Sequence, residues 1–145
     1  MKRLKSCLVM SKDVITQHEI AQMLSDLGIE IIYYAESLEE TLEITEEQQP
    51  THAFLDLEFE TSFSGSFITQ MNQVSRTRVT LIKKRGTKNS GDIKLNIKGN
   101  VTVLEKPVTI TLLNDIVHPQ FSFGALLAEA ESQLKEEGHW QSMSA

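Results

Sequence analysis

The chain has 145 residues, of which 40% are hydrophobic and 23% charged, enough for one domain with a buried core. Twenty acidic against fourteen basic residues give a formal net charge of −6, which argues against a general nucleic-acid-binding protein, because such proteins carry a net basic face. A single cysteine cannot form an internal disulfide, and no apolar run approaches the ~20 residues of a transmembrane helix. We therefore expect a cytoplasmic domain that contacts neither nucleic acid nor membrane.

The first elements alternate between an apolar run and an amphipathic stretch. Residues 7–10 are continuously apolar, which predicts a strand buried on both faces. Residues 16–27 carry their apolar side chains on one helical stripe and predict the first helix. Thr16 and Glu19 have the spacing of a capping box, and Gly28 suits the position just past the C-terminus of this helix.

The next strand, helix and strand follow the same alternation. Residues 29–35 are β-branched and aromatic and predict the second strand. Ser37 and Glu40 form a second capping-box pattern, which opens a helix that must end before Pro50. Residues 52–57 predict the third strand, with an aspartate near its C-terminal end.

The second half of the chain predicts two more strands. The predicted elements are a loop at 61–65, a helix at 66–74, strands at 79–82 and 101–104, and a helix carrying apolar residues from 110 to 117 and ended by Pro119. Between 84 and 100 the apolar residues Ile93, Leu95 and Ile97 alternate with polar ones, which favours extended structure over a helix. The basic run at 83–88 predicts a solvated loop, with a docking patch for an acidic partner as the alternative.

Strands that alternate with helices predict a parallel sheet covered by helices on both faces. In such sheets ligands and reactive groups lie at the carboxyl ends of the strands. The candidate functional residues are therefore those that follow each strand: Ser11, Lys12, Asp13, Asp56, Lys83, Lys84 and Lys106.

Over residues 5–118 this arrangement resembles the receiver domain of two-component signalling, the CheY-like family. The features that carry the resemblance are Asp56 within AFLDL, the Lys106-Pro107 pair 50 residues later, and Gly65 nine residues beyond Asp56. The resemblance implies a flavodoxin-like three-layer sandwich with a five-stranded parallel sheet in the order 2-1-3-4-5. It implies a receiver-like domain at 1–118 and leaves 119–145 as an extension, whose apolar stripe predicts an extra helix at 122–137.

The resemblance also implies a role for each matching position. Asp56 occupies the position of the phosphoacceptor, which takes a phosphoryl group from a phosphohistidine. Lys106 occupies the position of the lysine that contacts the phosphoryl oxygens, and Pro107 that of a proline after a cis peptide bond. Lys83 stands at the switch position, where the family has Thr or Ser.

The acidic pair that holds a divalent cation in the family is replaced by Ser11 and Lys12. A hydroxyl and an ammonium cannot supply the oxygen ligands that Mg²⁺ demands. Asp13 lies next to them, but a one-residue shift that moved it into the site would also turn the apolar residues of the strand. We therefore predict no metal and no other cofactor, and a single carboxylate, Asp56, with Lys12, Lys83 and Lys106 as candidate neighbours. Lys12 or Lys106 would hold Asp56 as a permanent ion pair.

Three hypotheses about function remain open. The first is a non-enzymatic, degenerate receiver, similar to pseudo-receivers of hybrid sensor histidine kinases, which contacts a histidine kinase or another signalling domain. The second is an atypical receiver that uses Mg²⁺ and is phosphorylated on Asp56. The third is a flavodoxin-like enzyme or ligand-binding domain that shares only the topology. The sequence leaves a homodimer open.

Overall fold

The computed structural model describes residues 4–86 and 101–121. The chain divides into two compact units, Met1–Ile110 and Thr111–Ala145. The predicted extended segment around Ile93, Leu95 and Ile97 and the predicted helix at 122–137 lie outside the described residues. The division at 118/119 stays a prediction.

Five parallel strands form one sheet in the order β2-β1-β3-β4-β5, which confirms the predicted order. The strands are β1 at Ser6–Met10, β2 at Ile31–Ala35, β3 at His52–Asp56, β4 at Arg78–Lys83 and β5 at Val101–Glu105. All the carboxyl ends of parallel strands lie at one edge, which we call the carboxyl edge of the sheet.

Three helices belong to the first unit: α1 at Val14–Asp26, α2 at Leu38–Gln48 and α3 at Gly65–Val74. The chain moves in one direction across the sheet through α1 and in the opposite direction through α2 and α3. Because such crossovers are right-handed, α1 lies on one face of the sheet, and α2 and α3 lie together on the other. Helix α4 spans Ile110–Val117, and a 3₁₀ turn at Pro119–Phe121 follows it.

The start of α1 differs from the prediction. The helix begins at Val14, and its N-terminal cap is Asp13, whose carboxylate accepts hydrogen bonds from the Ile15 amide at 3.2 Å and from the Thr16 hydroxyl at 2.8 Å. The Thr16–Glu19 capping box was therefore wrong, because the aspartate three residues earlier takes that role.

The N-cap of α2 and the end of α1 match their predictions, whereas the Glu40 carboxylate of the predicted capping box accepts instead from the Glu36 amide at 2.8 Å. The amide of Glu40 donates to the Ser37 hydroxyl at 3.1 Å, which confirms Ser37 as the N-cap. Gly28 follows α1 with a φ of +93°, in the region that favours glycine.

The hydrophobic core explains why the first and third strands are mostly apolar. Every residue of β1 and of β3 is buried, because these strands lie inside the sheet and are covered on both faces. Fully buried core residues include Leu8, Met10, Leu24, Phe54, Leu55, Met71 and Leu81. The apolar centre of the sheet thus holds the ends of β1 and β3, and the side chains beyond them, in place. Among the described residues no helix is long and apolar enough to cross a membrane.

Candidate functional site

The sheet places Asp56 at the centre of the carboxyl edge. Asp56 is the last residue of β3, the middle strand of the five, and it pairs in register with Ile82 of β4. On the other side, β1 pairs with β3 so that Met10 lies beside Leu55, which puts Ser11 next to Asp56. Strand β5 ends at Glu105, one residue before Lys106. Three strands therefore bring Ser11, Asp56 and Lys106 to one place.

The carboxylate of Asp56 is fully buried and hydrogen-bonded at both oxygens. Its Oδ2 accepts a 2.7 Å bond from the Ser11 hydroxyl, and its Oδ1 accepts a 3.1 Å bond from the Glu58 amide. The Lys106 ammonium lies 3.1 Å from Oδ1 and 3.2 Å from Oδ2. With its side chain 0% exposed, Asp56 is compensated entirely by protein groups.

Lys106 is shared between two carboxylates. Its ammonium lies 2.8 Å from Oε1 of Glu58 in addition to its contacts with Asp56, and its amide donates to the Lys83 carbonyl at 2.9 Å, which anchors the backbone to β4. Burial alone would lower the pKa of Lys106, but the hydrogen bonds and charges of Glu58 and Asp56 outweigh it and raise the pKa overall. The Lys106–Pro107 peptide bond is cis.

Ser11 contributes one hydroxyl to the site. A hydroxyl has a single proton, and the 2.7 Å contact with Asp56 is shorter than the 3.1 Å contact with the Asp13 carbonyl, so the proton points to Asp56. The same oxygen accepts a 3.0 Å hydrogen bond from the Asp13 amide. Ser11 is therefore a neutral link between the start of α1 and the buried carboxylate.

Lys12 pairs with a different carboxylate from the predicted one. Its ammonium lies 3.6 Å from Oε2 of Glu60, with the Lys12 side chain 42% exposed and the Glu60 side chain 5% exposed. The other Glu60 oxygen accepts a hydrogen bond from the Ser62 amide. The prediction that Lys12 is a candidate neighbour of Asp56 was wrong: Lys12 instead joins the β1–α1 loop to the β3–α3 loop.

The side chains of Lys83 and Asp13 are not among the groups that bind the Asp56 carboxylate in the described residues. Lys83 ends β4, paired in register with Glu105, and only its carbonyl takes part in holding Lys106. Asp13 uses both carboxylate oxygens to cap α1. Within residues 4–86 and 101–121, neither side chain hydrogen-bonds to or forms an ion pair with Asp56.

Two functional neighbours were missing from the sequence prediction. We expected a single carboxylate, Asp56, beside the lysines. That expectation was wrong, because Glu58 also forms an ion pair with Lys106 and Glu60 forms one with Lys12. The signal was present in the spacing: Asp56, Glu58 and Glu60 recur at every second residue. Because these glutamates follow the strand, the shape of the β3–α3 loop decides where they point.

At positions 11–13 the donor set offers Mg²⁺ few of the ligands that it prefers. The cation prefers several carboxylate or carbonyl oxygens and water in an octahedron. Here Ser11 contributes a hydroxyl, Lys12 an ammonium directed to Glu60, and Asp13 a carboxylate occupied by the helix N-terminus. Among the described residues no group of three or more His, Cys, Asp or Glu side chains is arranged to hold a metal ion.

Comparison with solved structures identifies the fold. Similar structures include the signal receiver domain of a modulated diguanylate cyclase from Desulfovibrio desulfuricans G20, with a TM-score of 0.68, 14% identity, and coverage of 81% of this chain and 93% of that one. The REC domain of the response regulator AraT from Geobacillus stearothermophilus has a TM-score of 0.65 and 16% identity over 94% of this chain and 99% of its own.

A third similar structure is a response regulator from Burkholderia pseudomallei with a phosphorylated aspartic acid, a calcium ion and citrate. It has a TM-score of 0.66 and 18% identity, and the match covers 95% of this chain and 82% of that one. No protein-family model matches the sequence, and no curated protein matches it either. The chain thus has the CheY-like receiver fold, as predicted.

Proposed function

We propose that this chain is a signalling domain of a two-component system, a degenerate receiver whose Asp56 is held by Lys106 instead of serving metal-dependent phosphotransfer. The observation that carries the proposal is the buried contact of Asp56 with the Lys106 ammonium and the Ser11 hydroxyl. On this view the domain is cytoplasmic and non-enzymatic, needs no cofactor, and acts by contact with a histidine kinase or another signalling protein.

The charges at the site support the absence of phosphotransfer. Asp56 and Glu58 bring two negative charges, and Lys106 brings the positive charge between them. Phosphorylation would replace the single negative charge of Asp56 by about two on the acyl phosphate, a net gain of about one, which a divalent cation normally offsets. With a neutral hydroxyl at Ser11 and the Lys12 ammonium directed to Glu60, the site offers little to offset that charge.

The burial of Asp56 supports the same proposal. A nucleophile must meet its donor in line, yet both oxygens of Asp56 already accept hydrogen bonds and the side chain is 0% exposed. Phosphotransfer would have to displace Lys106 or Ser11 first. Displacing Lys106 would leave the buried carboxylate without its charged partner, which costs several kcal/mol.

Exposed apolar side chains near the site support action through protein contact. Val14 and Ile15 in the first turn of α1 are 54% and 69% exposed, and Phe59 in the β3–α3 loop is 55% exposed. The Lys12–Glu60 ion pair connects the β1–α1 loop, which leads into that turn, to the β3–α3 loop, which carries Phe59. Large apolar side chains on a loop surface beside a polar rim are typical of protein interaction sites.

The second candidate function is an atypical receiver phosphorylated on Asp56. Its specific support is the position of Lys106, whose ammonium already touches the carboxylate that would carry the phosphoryl group. In that case Mg²⁺ would be required, and Glu58 is the other carboxylate near enough to Lys106 to take part.

Treatment with acetyl phosphate at millimolar Mg²⁺ separates the two candidates. The proposal predicts no gain of a phosphoryl mass in the intact protein and no Mg²⁺-dependent chemical shift change centred on Asp56. The Asp56→Asn variant identifies modification at any other residue, because such modification persists in it. A mass gain that disappears in Asp56→Asn, together with Mg²⁺-dependent shifts around residues 11 and 56, would overturn the degenerate-receiver proposal in favour of the atypical receiver.

A further inference from the structure

A groove lies between α2 and α3, on the face of the sheet opposite α1. Its apolar floor is formed by Leu38, Leu42 and Phe67, and Ser66 and Gln70 line its α3 side. We call it the α2–α3 groove. Its volume of about 280 Å³ is below the roughly 300–1,000 Å³ of small-molecule pockets, and its lining is mostly apolar. It is suited to one or two side chains of a protein partner.

The charges beside the groove have one sign. Helix α2 carries five exposed glutamates, whereas α3 contains no charged residue, and neither helix contains a lysine or arginine. At 100° per residue, Glu39, Glu43 and Glu46 fall within about 60° of one another. This stripe adjoins the groove, because Glu39 lines it and Leu42 lies next along the helix surface.

We propose that the α2–α3 groove docks a basic segment of a partner protein, with an apolar side chain in the groove and Lys or Arg side chains against the glutamate stripe. Glu39 and Glu46 are seven residues apart, about 10 Å along α2, so the cations of the partner are spread over that length. Ser66 and Gln70 supply hydrogen-bonding groups on the opposite wall. The proposal is independent of the chemical state of Asp56.

Charge complementarity favours a basic segment over an acidic or a neutral one. An acidic or neutral apolar segment would fill the same groove but would leave the glutamates unpaired or repelled, whereas a basic one gains attraction along the whole stripe. Exposed ion pairs contribute modestly and are screened by salt, so the affinity should fall as the ionic strength rises.

A synthetic peptide with a central leucine and two lysines on each side is a suitable probe. Titrated into the ¹⁵N-labelled full chain, it should produce saturable shifts at groove residues such as Leu42 and Gln70. Peptides with glutamate for lysine, or alanine for leucine, should bind at least tenfold more weakly. Absence of saturable shifts at millimolar peptide, or shifts confined to other faces, would overturn the proposal, as would groove shifts that depend only on protein concentration and thus report self-association.

Charge variants test the role of the glutamate stripe. The triple variant Glu39→Gln, Glu43→Gln and Glu46→Gln should weaken peptide binding about tenfold at low salt, because three ion pairs are lost. The matched control neutralises three exposed carboxylates outside α2 and the groove: Glu19→Gln, Asp26→Asn and Glu30→Gln. It should change the affinity less than twofold; equal weakening in both variants would show that net charge alone attracts the peptide.

A groove-filling variant tests the apolar part of the site. Ser66 is exposed on α3, so Ser66→Phe adds a ring to the groove without removing a core side chain. It should weaken peptide binding at least fivefold while the circular dichroism spectrum is unchanged. Peptide affinity that survives Ser66→Phe would overturn the proposal, and it would leave the proposed state of Asp56 unaffected.

Discussion

The Ser11 hydroxyl donates a 2.7 Å hydrogen bond to Oδ2 of Asp56. A carboxylate in place of this hydroxyl would repel the Asp56 carboxylate. A neutral hydroxyl makes this hydrogen bond without adding another negative charge beside Asp56. The Ser11 hydroxyl and the Lys106 ammonium therefore both compensate the buried carboxylate.

Replacing Ser11 by aspartate should create a need for a cation. A second carboxylate about 4 Å from Asp56 repels it by up to about 4 kcal/mol at an effective dielectric constant near 20. We expect Ser11→Asp to lower the free energy of unfolding by about 2 kcal/mol, and millimolar Mg²⁺ to restore part of it. Thermal unfolding with and without Mg²⁺ measures this, with the neutral Ser11→Asn as control. Equal stabilisation of the wild type by Mg²⁺ would contradict the expectation.

The two lysines of the site should differ in their effect on stability. Lys106→Met leaves Asp56 buried without its ammonium and should cost about 3 kcal/mol of unfolding free energy. Lys12→Met removes a longer, 3.6 Å contact of a lysine that is 42% exposed, and its partner Glu60 keeps the hydrogen bond from the Ser62 amide, so this variant should cost less than Lys106→Met. Urea unfolding of the two variants measures the difference.

A double-mutant cycle identifies the cause of that difference. Adding Asp56→Asn to Lys106→Met should recover more than half of the loss, because no uncompensated carboxylate then remains at position 56. Strictly additive effects of the two substitutions would show that the ion pair is not the source of the cost.

The contribution of Lys106 should depend on alkaline pH in a defined direction. Its pKa is raised above the ordinary value of 10.5, so its contribution is fully present below that pH and is lost as the pH rises through the folded-state value. The difference in unfolding free energy between the wild type and Lys106→Met should be constant from about pH 6 to about pH 10 and shrink above that. Urea unfolding across this range, with Lys12→Met alongside, measures it. A difference that grows above pH 10 would have the wrong sign.

Asp13 should act on helix stability and have no effect on metal binding. Its carboxylate accepts hydrogen bonds from the Ile15 amide and the Thr16 hydroxyl at the start of α1. Asp13→Ala should cost about 1 kcal/mol, and Asp13→Ser, which keeps a capping oxygen, should cost less. Chemical unfolding compares the variants. If Asp13→Ala instead removed a measurable Mg²⁺ affinity while stability stayed constant, Asp13 would be a ligand.

The thiol of Cys7 should be unreactive in the native protein. Cys7 is 0% exposed in β1, and burial raises the pKa of its thiol to about 12, with Lys5 lowering it slightly. Because the thiolate is the nucleophile, alkylation by iodoacetamide near pH 8 should be far slower in the native protein than in urea. Mass spectrometry follows the reaction. Equal rates in buffer and in urea would show that β1 opens readily.

The sequence predicted those parts of the fold that depend on local pattern. The apolar stretches at 7–10 in β1 and 53–55 in β3 match strands that are buried on both faces inside a parallel sheet. The start of α1 was misplaced because Asp13 and Thr16 are both good capping residues and lie three positions apart. Only the backbone conformation at Asp13 decides between them.

The candidate site was predictable where strands place the residues and not where loops do. Asp56, Ser11 and Lys106 end or directly follow strands, and the order of the strands brings them together. Glu58 and Glu60 lie in the β3–α3 loop, so the conformation of that loop determines that they pair with Lys106 and Lys12. Lys12 and Lys106 look equivalent in sequence as partners of Asp56, and only the structure shows that Lys106 contacts Asp56 whereas Lys12 pairs with Glu60.

The position of β4 between β3 and β5 has a consequence for the choice of residue at position 106. Neighbouring strands lie about 4.8 Å apart, so the backbones carrying Asp56 and Lys106 are separated by about 10 Å. Aspartate is short, and the four-carbon stem of lysine spans most of the gap. A histidine there would fall short. The pairing therefore demands length as well as positive charge, which only lysine and arginine combine.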